Sequence, residues 1–131
     1  MRFGDFPENY CVYETSRVVL LPIPFDKTSS WIKGADNGPE AILKASPALE
    51  WYDILTGVEV YREGIYTAPP ILAQTPEEMI EEGYQQAKRH MQAGKFVVTL
   101  GGEHSVTLGP VRALAEACPV LSVLHLDAHG D

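Results

Sequence analysis

The chain has 131 residues, 45% of them hydrophobic and 21% charged, with a formal net charge of −8. That length suits one domain able to bury about two thirds of its unfolded surface, and no run approaches the roughly 20 apolar residues that span a bilayer. The ten Lys and Arg are scattered, which argues against a nucleic-acid partner, since phosphate binding needs clustered cations. The first ten residues show no apolar export segment, so a cytoplasmic setting is the expectation. Cys11 and Cys118 are too few and too far apart for a disulfide framework and read as idle or buried thiols.

Arg17 to Pro24 is an apolar, β-branched run closed by prolines and is predicted as a buried parallel strand. A polar loop follows, from Phe25 to Gly38. Pro39 then opens a helix with Ala41, Ile42, Ala45 and Leu49 at near-helical spacing, which Pro47 should end early. Val58 to Tyr61 is a weaker candidate strand. Thr75 and Glu78 form a capping box with Pro76 at the first helical position, and Ile80, Tyr84, Ala87 and Met91 mark the apolar face up to a stop at Gly94. Lys95 to Leu100 reads as a second buried strand. After it come Gly101-Gly102-Glu103-His104-Ser105 and a helix with Val111, Leu114, Ala115 and Cys118 on one face, stopped by Pro119. Val120 to Leu126 is a third apolar run. Strands alternating with helices predict the α/β class, a parallel sheet with helices on both faces, and nothing marks a domain boundary within 1–131.

Ligands of such sheets bind beyond the carboxyl ends of the strands, so the polar residues there carry the functional reading. His104 follows a Gly-Gly turn, where a histidine alone is more often a helix cap or a surface residue. Asp127, His129 and Asp131 share one side of an extended segment, because residues two apart point the same way. The alternative reading is a strand end whose acids only cap a following helix. Two carboxylates and an imidazole gathered without a counter-charge repel one another, and a divalent cation removes that penalty. Carboxylate-rich ligation with few imidazoles suits manganese better than structural zinc. Two such ions about 3.5 to 4 Å apart share a carboxylate and a water that ionises near neutral pH, so metal-assisted hydrolysis is the expected reaction class.

The two motifs, Gly101-Gly102-Glu103-His104-Ser105 and Asp127-Ala128-His129-Gly130-Asp131, resemble the first two metal motifs of the ureohydrolases, the arginase and agmatinase family. Pro22-Ile23-Pro24-Phe25-Asp26, Thr28-Ser29-Ser30, Gly34-Ala35 and Gly38-Pro39 resemble that family's opening strand and loop. The resemblance implies an arginase-like fold, of which 1–131 is the N-terminal part of a single domain. It implies that His104 and Asp131 bind one Mn2+, that His129 binds a second and that Asp127 bridges both, with the catalytic residues beyond residue 131. Glu103 and the Thr-Ser-Ser loop resemble agmatinases more than arginases. The implied activity is hydrolysis of agmatine to putrescine and urea, a step of polyamine biosynthesis, on a small cationic guanidino substrate. A homo-oligomer is implied for the full-length protein, and the short chain is expected to be inactive alone. Position 130 is Gly, where the family carries a larger residue. Alternatives are a non-catalytic half-protein docking onto a full-length homologue, an Asp-x-His-Gly metallophosphoesterase, and a deacetylase-like hydrolase.

Overall fold

A computed structural model describes residues 1–128. Three parallel strands, β1 (Val18–Ile23), β2 (Ile65–Thr67) and β3 (Phe96–Gly101), are arranged in the order β2-β1-β3. In register, Val18 lies opposite both Ile65 and Phe96, and Ile23 opposite Gly101. Three helices follow in chain order: α1 (Gly38–Ala45), α2 (Pro76–Gln92) and α3 (Leu108–Ala117).

The central strand is covered on both sides, and its alternation sends successive residues to different cores. Val19, Leu21 and Ile23 pack with Met79, Tyr84 and Ala87 of α2 and Ala113 of α3. Leu20 packs instead with Phe6, Tyr61 and Ile65. Pro22 in a central strand removes a ladder donor, which would normally argue against the strand. Here the Leu20 and Pro22 carbonyls accept from Ala68 and Ile71 on the β2 side, and β2 has already ended at Thr67. The missing N–H therefore falls where no strand asks for it.

Helix α2 forms as predicted. Thr75 and Glu78 complete the capping box, with Thr75 Oγ1 accepting from the Glu78 N–H at 3.2 Å. His90 also lies on its buried face, its Nδ1 3.0 Å from the Tyr13 hydroxyl, and burial pushes the imidazole below its ordinary value. Helix α1 ends at Ala45, where the Ser46–Ala48 turn containing Pro47 begins.

Five expectations are corrected. Lys95 to Leu100 does form a strand, but not a buried one: β3 is an edge of the sheet among the described residues, and Phe96 is 69% exposed. Val58 to Tyr61 is not a strand: Val60–Glu63 is a single 3-10 turn that stacks Tyr61 on Phe6 at 5.1 Å, and β2 starts only after Gly64. Gly64 takes φ 78°, and a side chain there would meet the Cα of Ser16 at 2.6 Å, so this turn admits no other residue without a shift. The apolar face of α1 is Pro39 and Leu43, with Ala41, Ile42 and Ala45 exposed. In α3 the inward residues are Gly109 and Ala113, whereas Val111 and Leu114 are 41% and 36% exposed. A Cβ on Gly109 would lie 2.5 Å from the Ile80 carbonyl oxygen, so the helices cross almost backbone to backbone and the small residues must face inward. Finally, Val120 to Leu126 forms no strand among the described residues, and Val120 and Leu126 are both 86% exposed. A strand exists only through hydrogen bonds to a neighbour, and no described segment pairs with this one.

Candidate metal centre

The carboxyl ends of β1 and β3 are tied together by the chain that leaves them. Beyond the last ladder pair, the Gly102 N–H donates to the Ile23 carbonyl at 3.0 Å and the Glu103 N–H to the Phe25 carbonyl at 2.9 Å. A side chain on Gly102 would run into the Phe25 backbone. The glycine thus lets the turn lie against the end of β1, and it delivers His104 to the first position of the His104–Thr107 turn that leads into α3.

Opposite it, the extended segment after α3 brings in two further groups. Asp127 Oδ2 lies 3.6 Å from His104 Nδ1 and 3.1 Å from His125 Nε2. The two imidazoles stand 5.1 Å apart, and one ligand atom from each of the three residues lies within 4.8 Å of the others. Ligand bonds of about 2.1 Å place neighbouring donors on an octahedral ion about 3 Å apart, close to the two Asp127 separations. Nitrogen and carboxylate donors together fit a borderline divalent ion such as Mn2+.

Of the four residues singled out from the sequence, His104 and Asp127 come together across two elements. His129 and Asp131 lie outside the described residues. His125 was missed, although its signal was present: it is two residues before Asp127, so alternation puts it on the same side, and a lone imidazole interrupts the apolar run Val123-Leu124-His125-Leu126.

The loop from β1 to α1 borders this turn. Asp26 accepts from the Ser29 hydroxyl, the Gly34 N–H at 2.6 Å and the Ala35 N–H at 3.0 Å, with Lys33 Nζ at 3.7 Å. The Ser29 hydrogen bond first, then the two amides and the Lys33 charge, hold its carboxyl below the usual carboxylate range. Glu103 accepts from the Thr28 hydroxyl, from the Thr28 N–H at 3.1 Å and from the Ser105 hydroxyl at 2.5 Å.

A parallel α/β sheet that gathers imidazole and carboxylate donors at its strand ends is the arginase-like architecture. The chain belongs to the arginase family, whose model matches residues 16–131. Among curated relatives, the N(1)-aminopropylagmatine ureohydrolase of Thermus thermophilus is 44% identical over 131 residues, covering 96% of this chain and 44% of that protein. Among solved structures, the agmatine ureohydrolase of Thermoplasma volcanium has a TM-score of 0.74 at 34% identity, over 78% of this chain and 35% of that one. A Trypanosoma cruzi formiminoglutamase holding Mn2+ has a TM-score of 0.75 at 24% identity, over 82% and 38% of the two chains, and shows the shared fold alone. The chain spans less than half the length of these relatives. The family match decides against the metallophosphoesterase alternative.

Proposed function

We propose that this chain carries the first half of a dinuclear manganese centre that hydrolyses a guanidino C–N bond, in the manner of an agmatinase. The observation that carries the reading is the approach of His104, from the end of β3, to Asp127 and His125. Three potential donors, His104, His125 and Asp127, converge where α/β sheets bind their ligands. His104, Asp127, His129 and Asp131 are the proposed metal ligands, with His125 beside them, and the catalytic acid–base groups are expected beyond residue 131. When bound, the two ions would supply a nucleophile at neutral pH that bulk water cannot, which matters because a guanidinium stays protonated and delocalised at that pH and is a poor electrophile. The chain's own part is to hold donors in place: the Gly102 turn aims His104, and the segment after α3 presents Asp127.

For the substrate, the names of the relatives support agmatine or its N1-aminopropyl derivative, both small cations, and the acidic balance of −8 is compatible with either. The reading includes a single domain to which 1–131 contributes the N-terminal part, a homo-oligomeric, cytoplasmic full-length protein, a role in polyamine biosynthesis, and no nucleic-acid or membrane partner. No helix among the described residues is long and apolar enough to cross a membrane.

The test is urea release from agmatine and from N1-aminopropylagmatine by a protein extended to the relatives' full length, with Mn2+ present. Asp127→Asn is expected to lower kcat/KM by at least about 1000-fold, a loss of about 4 kcal/mol of transition-state stabilisation. His104→Ala should weaken Mn2+ binding measured by calorimetry. Unchanged turnover of either substrate by both variants would sink the assignment.

A further inference from the structure

Glu103 sits directly before a proposed ligand, yet it does not join the ligand cluster of His104, His125 and Asp127. Both of its carboxylate oxygens are taken up elsewhere. One accepts the Thr28 N–H at 3.1 Å, and the other accepts the hydroxyls of Thr28 and of Ser105, the latter at 2.5 Å. These contacts join positions 75 residues apart in the chain.

The loop they capture is closed upon itself at its root. Asp26 draws in Ser29, Gly34 and Ala35, so residues 26–35 form a ring whose tip carries the exposed Trp31 and Ile32. Asp26 shapes that ring but does not reach the His104 turn. The Glu103 side chain connects the two, together with a longer Thr28 to Ser105 hydroxyl contact at 3.5 Å and the backbone bonds of Gly102 and Glu103 to Ile23 and Phe25. The His104 imidazole has its polar contact with Asp127 and is 58% exposed, so its direction is set by the turn that bears it. A ligand must be held within about 0.5 Å of its working position by neighbours that are themselves fixed.

We propose that Glu103 is a positioning residue, clasping the 26–35 loop to the turn that presents His104 so that loop and metal ligand are held as one unit. The clasp rests on the reading of His104 as a metal ligand. A glutamine at this position keeps the shape but loses the charge and turns an NH2 toward donors, which mismatches the site. Hydrogen bonds to a charged acceptor are individually strong enough that their loss should release the loop at least about ten-fold more often.

The loop contains two trypsin sites, Lys27 and Lys33, which report its opening directly. The protein extended to the relatives' full length and its Glu103→Gln, Glu103→Asp and Thr28→Val variants are compared for cleavage after these lysines, followed by mass spectrometry, and for Mn2+ affinity by calorimetry. Glu81→Gln, which removes a surface partner of Arg112 away from the site, serves as the control. Glu103→Gln and Thr28→Val are each expected to raise loop cleavage about ten-fold and to weaken Mn2+ binding about ten-fold. The double variant should add little, because both changes break one linkage. Glu103→Asp should recover part of each effect, and circular dichroism should stay unchanged throughout. Loop cleavage at the parental rate in both single variants overturns the clasp, whatever the metal does. Faster cleavage with unaltered Mn2+ affinity overturns the positioning of His104. Absence of Mn2+ binding in the parent chain would instead defeat the metal-ligand reading on which the positioning role stands.

Discussion

Asp26 shows how one residue determines the form of a loop. Its carboxylate is nearly enclosed and accepts from Ser29, Gly34 and Ala35, with Lys33 nearby, and these donors keep its proton affinity below the ordinary value of 3.8. The sign follows from linkage. A group whose folded value is depressed contributes stability that is present above its unfolded value and lost as pH falls through the folded one. Protection of the Gly34 and Ala35 amides from hydrogen exchange is therefore expected to decline as pH falls below 3.8. In Asp26→Asn it should be low at every pH and show no such step; equal protection in the two proteins would remove Asp26 from this role. The sequence marked Asp26, Thr28 and Ser29 as polar loop residues but did not say which pairs with which. Glu103 meets Thr28 only because parallel strands place their carboxyl ends side by side, a relation no local pattern contains.

Among the elements, helix α2 and the longer apolar strands β1 and β3 were legible, whereas the short strand β2, made by pairing alone, was not. Helix α2 carries its own start signal in Thr75, Pro76 and Glu78, so its beginning was readable to the residue. Strand β2 is three residues long and owes its existence to β1 beside it, which is why the apolar run before it looked equally strand-like. The inward face of α3 was misread because its apolar residues suggested one side while Gly109 occupies the tight crossing with α2. Gly109→Ala tests this crossing. A Cβ 2.5 Å from the Ile80 carbonyl oxygen and 2.6 Å from the Tyr84 nitrogen forces the backbones apart. The substitution is expected to cost about 1 to 3 kcal/mol, read as a lower urea midpoint at unchanged slope. An unshifted midpoint would mean that the two helices separate freely.

At the scale of the whole chain, β3 forms one edge of the sheet among the described residues, and apolar surface is left open on α3 and on the segment after it. Val111 and Leu114 of α3 and Val120, Val123, Leu124 and Leu126 after it are exposed. Exposed apolar surface beside an unpaired strand edge promotes association. Chain 1–131 alone is thus expected to bind an environment-sensitive hydrophobic dye and to scatter light at micromolar concentration. Val123→Thr with Leu124→Lys should lower both signals several-fold without changing the circular dichroism. A monodisperse chain that leaves the dye dark would contradict this account of the surface. The expectation that the short chain is inactive alone is addressed by the urea assay.

The sequence by itself determined the α/β class, the helix starts and stops, and the two motifs with their donor types, because these depend on neighbours within a few residues. It also contained, in strict alternation, the parity that puts His125 beside Asp127. Only the tertiary structure decided that His104 and Asp127 face each other, that Glu103 holds the 26–35 loop, and which sides of α1 and α3 are buried. Those outcomes depend on parallel strand register and on glycine-sized gaps between backbones, both of which join residues distant in the chain.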